Sequence, residues 1–393
     1  GSESPFVHHT ALGWAVVGAS TCIPDQKNKT IHTALRTSID HEHFFVQPCK
    51  INESKTQFPE DVFEIKNDDH LPGLSTNDRK FLDIMNSGVK ITDEGNIELP
   101  LPLREGKLPN NKNAVYHRTK NCLDRLAKSP DKLEQCLQTM SKNIKLGHVE
   151  EVPPSEAPPN DGEFWYHPIF PVQHHQKGKV RLVKDASAKY CGVSLNDMLL
   201  QGPDMNNQIP EVLLKFRERP VGFIADIEGM FQGFKVPQEQ KNFLRFFWYA
   251  QNDSSLPLVE YRANYHIFGS RSSPSVAIFA LKYTTTQPIA KDCTDAINFI
   301  RESFYVDDGL SSEFTDTDAI KVLTETRNIL GSFNLRLCKI LSNSTVVLQS
   351  FPESERAEGV HSLNFEEDNY PRTLGIAWEP ATDHLSGQVA VPA

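Results

Sequence analysis

Phe304-Tyr305-Val306-Asp307-Asp308-Gly309-Leu310 is the stretch on which the reading of this chain turns. An aromatic, β-branched run enters two adjacent acids and a glycine and leaves through leucine. That pattern predicts a β-hairpin with Asp307-Asp308-Gly309 at its tip. Neighbouring carboxylates at a tight turn repel each other, so the turn is costly unless a cation sits there, and a divalent metal is the natural occupant. Asp-Gly is also a common hairpin connector, and a solvated turn without a ligand fits the same heptapeptide. The remaining sequence has to decide between the two.

Val221-Gly222-Phe223-Ile224-Ala225-Asp226 reads as an apolar strand that ends on an acid, 81 residues before Asp307. A strand-end acid and a hairpin acid pair can meet at one edge of an antiparallel sheet. Asp226, Asp307 and Asp308 would there hold two Mg²⁺ ions (Mn²⁺ as the alternative) about 4 Å apart, the arrangement used for in-line phosphoryl displacement. One ion would lower the pKa of an attacking 3′-hydroxyl and the other would stabilise a leaving pyrophosphate. Positioning and charge neutralisation are then most of what the protein must supply. A two-metal nuclease or another phosphotransferase shares these carboxylates.

The chain has 393 residues, 38% hydrophobic and 23% charged, enough for two or three domains with ordinary cores. No stretch reaches the roughly 18 uninterrupted apolar residues of a membrane span, so no membrane partner is expected. The opening Gly1-Ser2-Glu3-Ser4-Pro5 is neither a signal peptide nor an initiator methionine, which suggests a piece of something longer. Cys22, Cys49, Cys122, Cys136, Cys191, Cys293 and Cys338 are scattered without a Cys-x-x-Cys pair, arguing for reduced thiols and against a zinc knuckle or disulfide framework. Net charge is −10, at first sight unfavourable for nucleic acid. The charge is segregated, however. Residues 53–98 carry eleven acids against five bases, whereas residues 171–190 carry Lys177, Lys179, Arg181, Lys184 and Lys189 against Asp185 alone. A local basic strip can hold a phosphate backbone on an acidic chain.

Residues 8–20, with Ala11 to Gly18, read as a short buried strand ending at a glycine, and the stretch to about residue 70 as connector without a clear period. Ser75-Thr76-Asn77-Asp78 caps a helix with Phe81, Ile84 and Met85 on one face. A helical zone opens at Asn110-Asn111-Lys112 and runs to about Gly147 with a break near Ser129-Pro130. Its stripe of Leu123, Leu126, Leu133, Leu137, Met140 and Ile144 is read as core packing. Glu151 to Asp161 reads as a Pro- and acid-rich linker. Beyond Glu163 short strands alternate with helices. Trp165–Val172 and Lys179–Val183 form a hairpin across His174 to Gly178, with strands at Phe243–Tyr249 and Leu258–Arg262. Helices follow at Pro274–Thr286 and Asp318–Gly331, and strands at Leu335–Cys338 and Arg372–Trp378. No internal repeat is visible, and the mixed order predicts an α+β fold.

Several blocks together resemble the reverse transcriptases of LTR retrotransposons, specifically the Bel/Pao group. They are Val180-Arg181-Leu182-Val183-Lys184-Asp185-Ala186-Ser187-Ala188-Lys189, Gly192-Val193-Ser194-Leu195-Asn196-Asp197 and Ile224-Ala225-Asp226-Ile227-Glu228-Gly229-Met230-Phe231. Phe268-Gly269-Ser270-Arg271-Ser272-Ser273-Pro274, the Tyr305-Val306-Asp307-Asp308 box and Thr373-Leu374-Gly375-Ile376-Ala377-Trp378 follow in the family's order. Phe81 to Gly88 and Leu108 to Asn111 also look family-like. The resemblance implies right-hand polymerase fingers and palm over residues 151–380, with an antiparallel palm sheet, helices on one face and the thumb lacking. Residues 21–150 would be connector and helical lead into the fingers, and residues 381–393 the start of a truncated thumb connection. Residues 1–20 would be the tail of an aspartic protease region. Neither Asp-Thr-Gly nor Asp-Ser-Gly occurs, so protease activity is not expected.

Carried over by position, the resemblance makes Asp226, Asp307 and Asp308 the metal-binding triad and Phe231 the aromatic steric gate that excludes a ribose 2′-hydroxyl. A core aromatic is the alternative for Phe231. Arg181 matches the fingers arginine that grips the incoming triphosphate, a task suited to a planar fork of donors. Lys177 and Lys179 are candidates for a second phosphate contact or plain solvated lysines. Phe268, Gly269, Ser273 and Pro274 match the turn before the helix under the nucleotide, where glycine permits close approach and proline suits a first helical turn. Lys339 matches a proton donor to pyrophosphate. Tyr305, Leu374, Gly375 and Trp378 match nucleic-acid contacts of the catalytic box and primer grip, with a buried aromatic as the alternative for Trp378. Gly229 and Lys184 depart from the family pattern, as in a drifting copy. The implied substrates are an RNA or DNA template with primer and deoxynucleoside triphosphates. The implied associates are the other Pol regions: protease, ribonuclease H and integrase. The implied location is the cytoplasm, inside a virus-like particle, or the nucleus. A non-catalytic or domesticated nucleic-acid-binding remnant remains the competing reading.

Overall fold

The computed structural model of the chain describes residues 6–10, 13–17, 73–156, 159–173, 180–357, 372–374 and 376–387. Residues 1–70 and 71–393 form two units. In the first, Phe6–Thr10 pairs antiparallel with Gly13–Val17, so the expected strand is one arm of a hairpin.

The second unit is built around Val221–Ile227, one of the two inner strands of a four-stranded antiparallel sheet. The order across the sheet is Phe304–Tyr305, Asp308–Glu313, Val221–Ile227, Leu337–Ser342. Side chains alternate along it as a strand requires. Phe223, Ala225 and Ile227 enter the main core with Phe81, Met85, Val276, Phe299, Val322 and Leu323. That face is therefore covered by the helices Thr76–Gly88, Ser273–Thr284, Thr294–Glu302 and Asp316–Gly331. The opposite face carries Ile224, Leu310 and Leu341 under Val212, Phe216, Leu348 and Trp378. This second cover reaches only part of the way, and Asp226 lies beyond it. The structure is mixed α and β with small antiparallel sheets, and helices stand on both faces rather than on one, the short Ile209–Phe216 and Thr345–Gln349 segments covering the second.

A further core joins the helices Lys112–Leu126 and Pro130–Lys145 to the hairpin Ile169–Gln173/Val180–Lys184 and to the sheet Arg245–Tyr249/Leu258–Ala263/Val149–Glu151. The leucine stripe of the helical zone is core packing, with Leu123, Leu126 and Met140 buried. Ser75 caps its helix through a reciprocal capping box with Asp78.

Three local expectations change. The strand expected from Phe243 starts at Arg245, because Gln238–Leu244 is a 3-10 turn. The supposed linker is tied down through its acids. Glu156 bridges the buried Arg245 and Arg262, Glu150 takes a second bond from Arg262, and Tyr261 donates to Glu151. Buried guanidiniums demand such partners, and the sequence does not show that the arginines are buried. Third, the hairpin turn is Val306-Asp307, closed by the Tyr305–Asp308 pair, and not Asp307-Asp308-Gly309. Gly309 is instead a packing residue. A Cβ there would lie 2.6 Å from Phe304 Cζ and 2.9 Å from Phe299 Cζ, both rings being buried.

Gly309→Ala should accordingly destabilise the protein by about 1–3 kcal/mol, the usual range for overpacking a core. Equilibrium urea unfolding measures this, and an unchanged midpoint would show that the Phe304 ring relaxes without penalty.

Candidate active site

In the sheet register Asp308 stands directly opposite Asp226, and Cys338 opposite Asp226 on its other side. Cross-strand partners project to the same face with Cβ atoms about 4.5–5.5 Å apart. The strands thus set Asp308, Asp226 and Cys338 in one row at the uncovered end of the sheet. Asp307 follows from the turn beside them, and its carbonyl accepts from the Ile227 amide at 2.9 Å, which ties the hairpin tip to the end of the central strand. The turn holds Val306 at φ +56°, a conformation that β-branched residues rarely adopt. Strain of this kind gathers at functional sites.

The row is electrostatically loaded. Burial, then the neighbouring charges of Asp307 and Asp226, pushes the Asp308 carboxyl up to about 7. Burial, reinforced by Asp226, also raises Asp307. Lys339 counters both effects and places its ammonium 2.6 Å from Asp226 Oδ2. The Cys338 thiol lies 3.7 Å from Asp226 Oδ1; burial, with Asp226 beside it, pushes this thiol up to about 11.

The donor set suits a hard divalent cation, since three carboxylates supply oxygen ligands, and the raised acids mark negative charge that a cation would relieve. Among the described residues no three acids, histidines or cysteines already stand in the geometry of a metal cage. One oxygen of Asp226 is engaged by Lys339. The carboxylates of Asp226, Asp307 and Asp308 are the residues that could supply oxygen ligands to such an ion.

A second assembly begins a few residues after Asp226 in the chain. Gly229, at φ +59°, caps the 3-10 turn Met230–Gly233, a left-handed backbone that glycine adopts without steric cost. The half-buried Phe231 in that turn meets Phe268 edge-on, with ring centroids 4.7 Å apart and planes at 64°, and Phe268 is 55% exposed. Gly269 has φ +84° and lies near the Lys184 carbonyl. Asn196 clamps this turn, donating to the Gly269 carbonyl and the Ser187 hydroxyl and accepting from the Arg271 amide. The buried Ser273 donates to the Ile267 carbonyl at 2.8 Å, and Pro274 opens the helix Ser273–Thr284. The turn is thereby joined to Ser187, which follows the Val180–Lys184 strand.

Arg181 is exposed on that strand. Lys184, unusual by sequence, sits with its ammonium 4.9 Å from the Phe246 ring centroid, and burial pushes it down to about 8. Tyr305 is half-buried in the hairpin that carries Asp307 and Asp308, and Leu374 is half-buried at φ +54°. Trp378 is 1% exposed, packs edge-on against Phe216 and donates to Asp383, so its indole anchors its hairpin to the sheet. Lys177, Lys179 and Gly375 lie outside the described residues. Sequence reasoning missed Cys338 and Asn196. Asn196 lay inside a quoted motif block, whereas nothing in the sequence pairs Cys338 with Asp226.

The raised Asp308 carboxyl predicts a pH dependence. A proton bound more tightly in the folded than in the unfolded chain stabilises at low pH and ceases to do so as pH rises through the folded value. With chelator present, Asp308→Asn should therefore raise the melting temperature at pH 8 and change it much less at pH 5. Thermal melts at both values read this, and equal shifts would contradict the repulsion in the row.

No protein-family model matches the chain, and no curated protein does. Among solved structures the chain is similar to a foamy viral protease–reverse transcriptase in complex with double-stranded DNA. The TM-score is 0.38 and the identity 15%, over 61% of this chain and 33% of that one. The chain thus spans about a third of that protein's length.

Proposed function

We propose that the chain is the fingers-and-palm part of an RNA-directed DNA polymerase of the Bel/Pao retrotransposon type, which extends a primer 3′-hydroxyl with deoxynucleotides on an RNA or DNA template. The observation that carries this reading is the cross-strand pairing of Asp226 with Asp308 and the adjoining Asp307 at one end of an antiparallel sheet. Phe231 and Phe268 beside a glycine turn add an aromatic wall of the kind a sugar-discriminating pocket needs.

Asp226, Asp307 and Asp308 would hold Mg²⁺. When bound, the metal supplies activation of the attacking hydroxyl and neutralisation of charge on the leaving pyrophosphate. The chain's own residues do the rest. Arg181 offers its guanidinium to the triphosphate. Phe231, steadied by Phe268, limits the room at the sugar 2′ position. Lys339 brings a proton-bearing ammonium to the same edge. Gly269, without a Cβ, lets a nucleotide approach the backbone.

Primer extension on an annealed RNA–DNA substrate with Mg²⁺ tests the proposal. Wild-type protein should extend, and Asp226→Asn or Asp308→Asn should each lose about a hundredfold or more of the rate, the scale set by removal of one preorganised electrostatic contact. Phe231→Val should retain extension and raise ribonucleotide use relative to deoxynucleotide. Nucleic-acid binding without any extension would leave the remnant reading in its place. Cleavage in place of synthesis would point to a two-metal nuclease.

A further inference from the structure

The strand Leu337–Ser342 carries an irregularity that the sheet itself does not need. Leu337 faces the main core and Cys338 stands opposite Asp226. Strict alternation would next turn Lys339 into the core. The register instead shifts between Cys338 and Leu341, so that Ile340 returns to the main core and Leu341 to the opposite face. The extra residue is Lys339, held at φ +52°. A bulge of this kind re-aims one side chain, and a left-handed non-glycine residue costs free energy that something must justify. What the bulge delivers is an ammonium 2.6 Å from Asp226 Oδ2, with the lysine side chain 62% exposed and the aspartate side chain 15% exposed.

We propose that Lys339 is a resident counter-ion for Asp226, which keeps the acid row folded without a divalent cation and must withdraw before the metal can use that oxygen. The inference rests on the metal-binding reading of the row. The ammonium neutralises the strand-end carboxylate that stands opposite Asp308 in the sheet and beside Asp307. Its four-carbon stem and outward exposure let it swing into solvent, free to meet an arriving anionic substrate. Metal occupancy is thereby set by competition between one tethered monovalent cation and a free divalent one.

Mn²⁺ titration monitored by the EPR signal of the free ion, without nucleic acid, tests this on wild type, Lys339→Met, Lys339→Gly and Asp226→Asn. Both lysine variants should bind Mn²⁺ about twofold to fivefold more tightly, the factor corresponding to an exposed ion pair. The difference should shrink at high salt as the pair is screened. Asp226→Asn should lose the site. Lys339→Gly suits the left-handed backbone, so thermal melts of that variant guard against a folding artefact. Unchanged or weaker Mn²⁺ binding in both lysine variants would overturn the proposal. Absence of a site that Asp226→Asn removes would overturn it together with the metal reading. Competition seen in a protein that fails to extend primers would retain the counter-ion and remove only the polymerase.

Discussion

The pairing of Val221–Ile227 with Asp308–Glu313 is the constraint on which the site depends. It sets two carboxylates opposite each other where like charges are unfavourable, and the surrounding structure is arranged to tolerate them. Ile224 and Leu310, two residues further along the same face of each strand, are buried beneath Phe216 and Trp378. The acids therefore occupy the first positions past an apolar cover. One face of the strand supplies adhesion, and the far end of the other carries the acids.

Left-handed backbone gathers around the same row. Val306, Lys339 and Gly229 all have left-handed φ, and they lie respectively next to Asp307, next to Cys338 and three residues beyond Asp226. Each departure turns the chain sharply where a regular strand would carry the next side chain elsewhere. The Val306 turn presents Asp307, the Lys339 bulge presents an ammonium, and the Gly229 cap leads into the turn that presents Phe231. The main core behind them, with Phe223, Phe299 and Leu323 fully buried or nearly so, is rigid enough to maintain such conformations.

Elsewhere the molecule relies on polar ties between segments distant in sequence. Asn196 links its own loop to the turn at Gly269, and Glu156 joins two buried arginines from adjacent strands. These contacts tie the turn at Gly269 to Asn196 and the segment around Glu156 to the strands of Arg245 and Arg262. Removing one partner of a buried pair is more damaging than the pair is stabilising, so they fix geometry more than they add stability.

Much was legible in the sequence itself. Apolar period and turn residues located the helices at Thr76–Gly88, Lys112–Leu126, Pro130–Lys145 and Asp316–Gly331 to within a few residues. They also marked Val221–Ile227 as a strand and brought forward Asp226, Asp307 and Asp308. These signals are local, because capping, helical period and β-alternation are properties of neighbouring residues. What only the tertiary structure decided is how those pieces meet. The register puts Asp308 rather than Asp307 opposite Asp226 and brings Cys338 alongside. A bulge delivers Lys339 to the acids, Gly309 answers to the Phe304 ring rather than to the turn, and Trp378 is buried. Each depends on a partner tens of residues away, or on one added residue that shifts a strand's alternation, and neither leaves a mark in the local pattern.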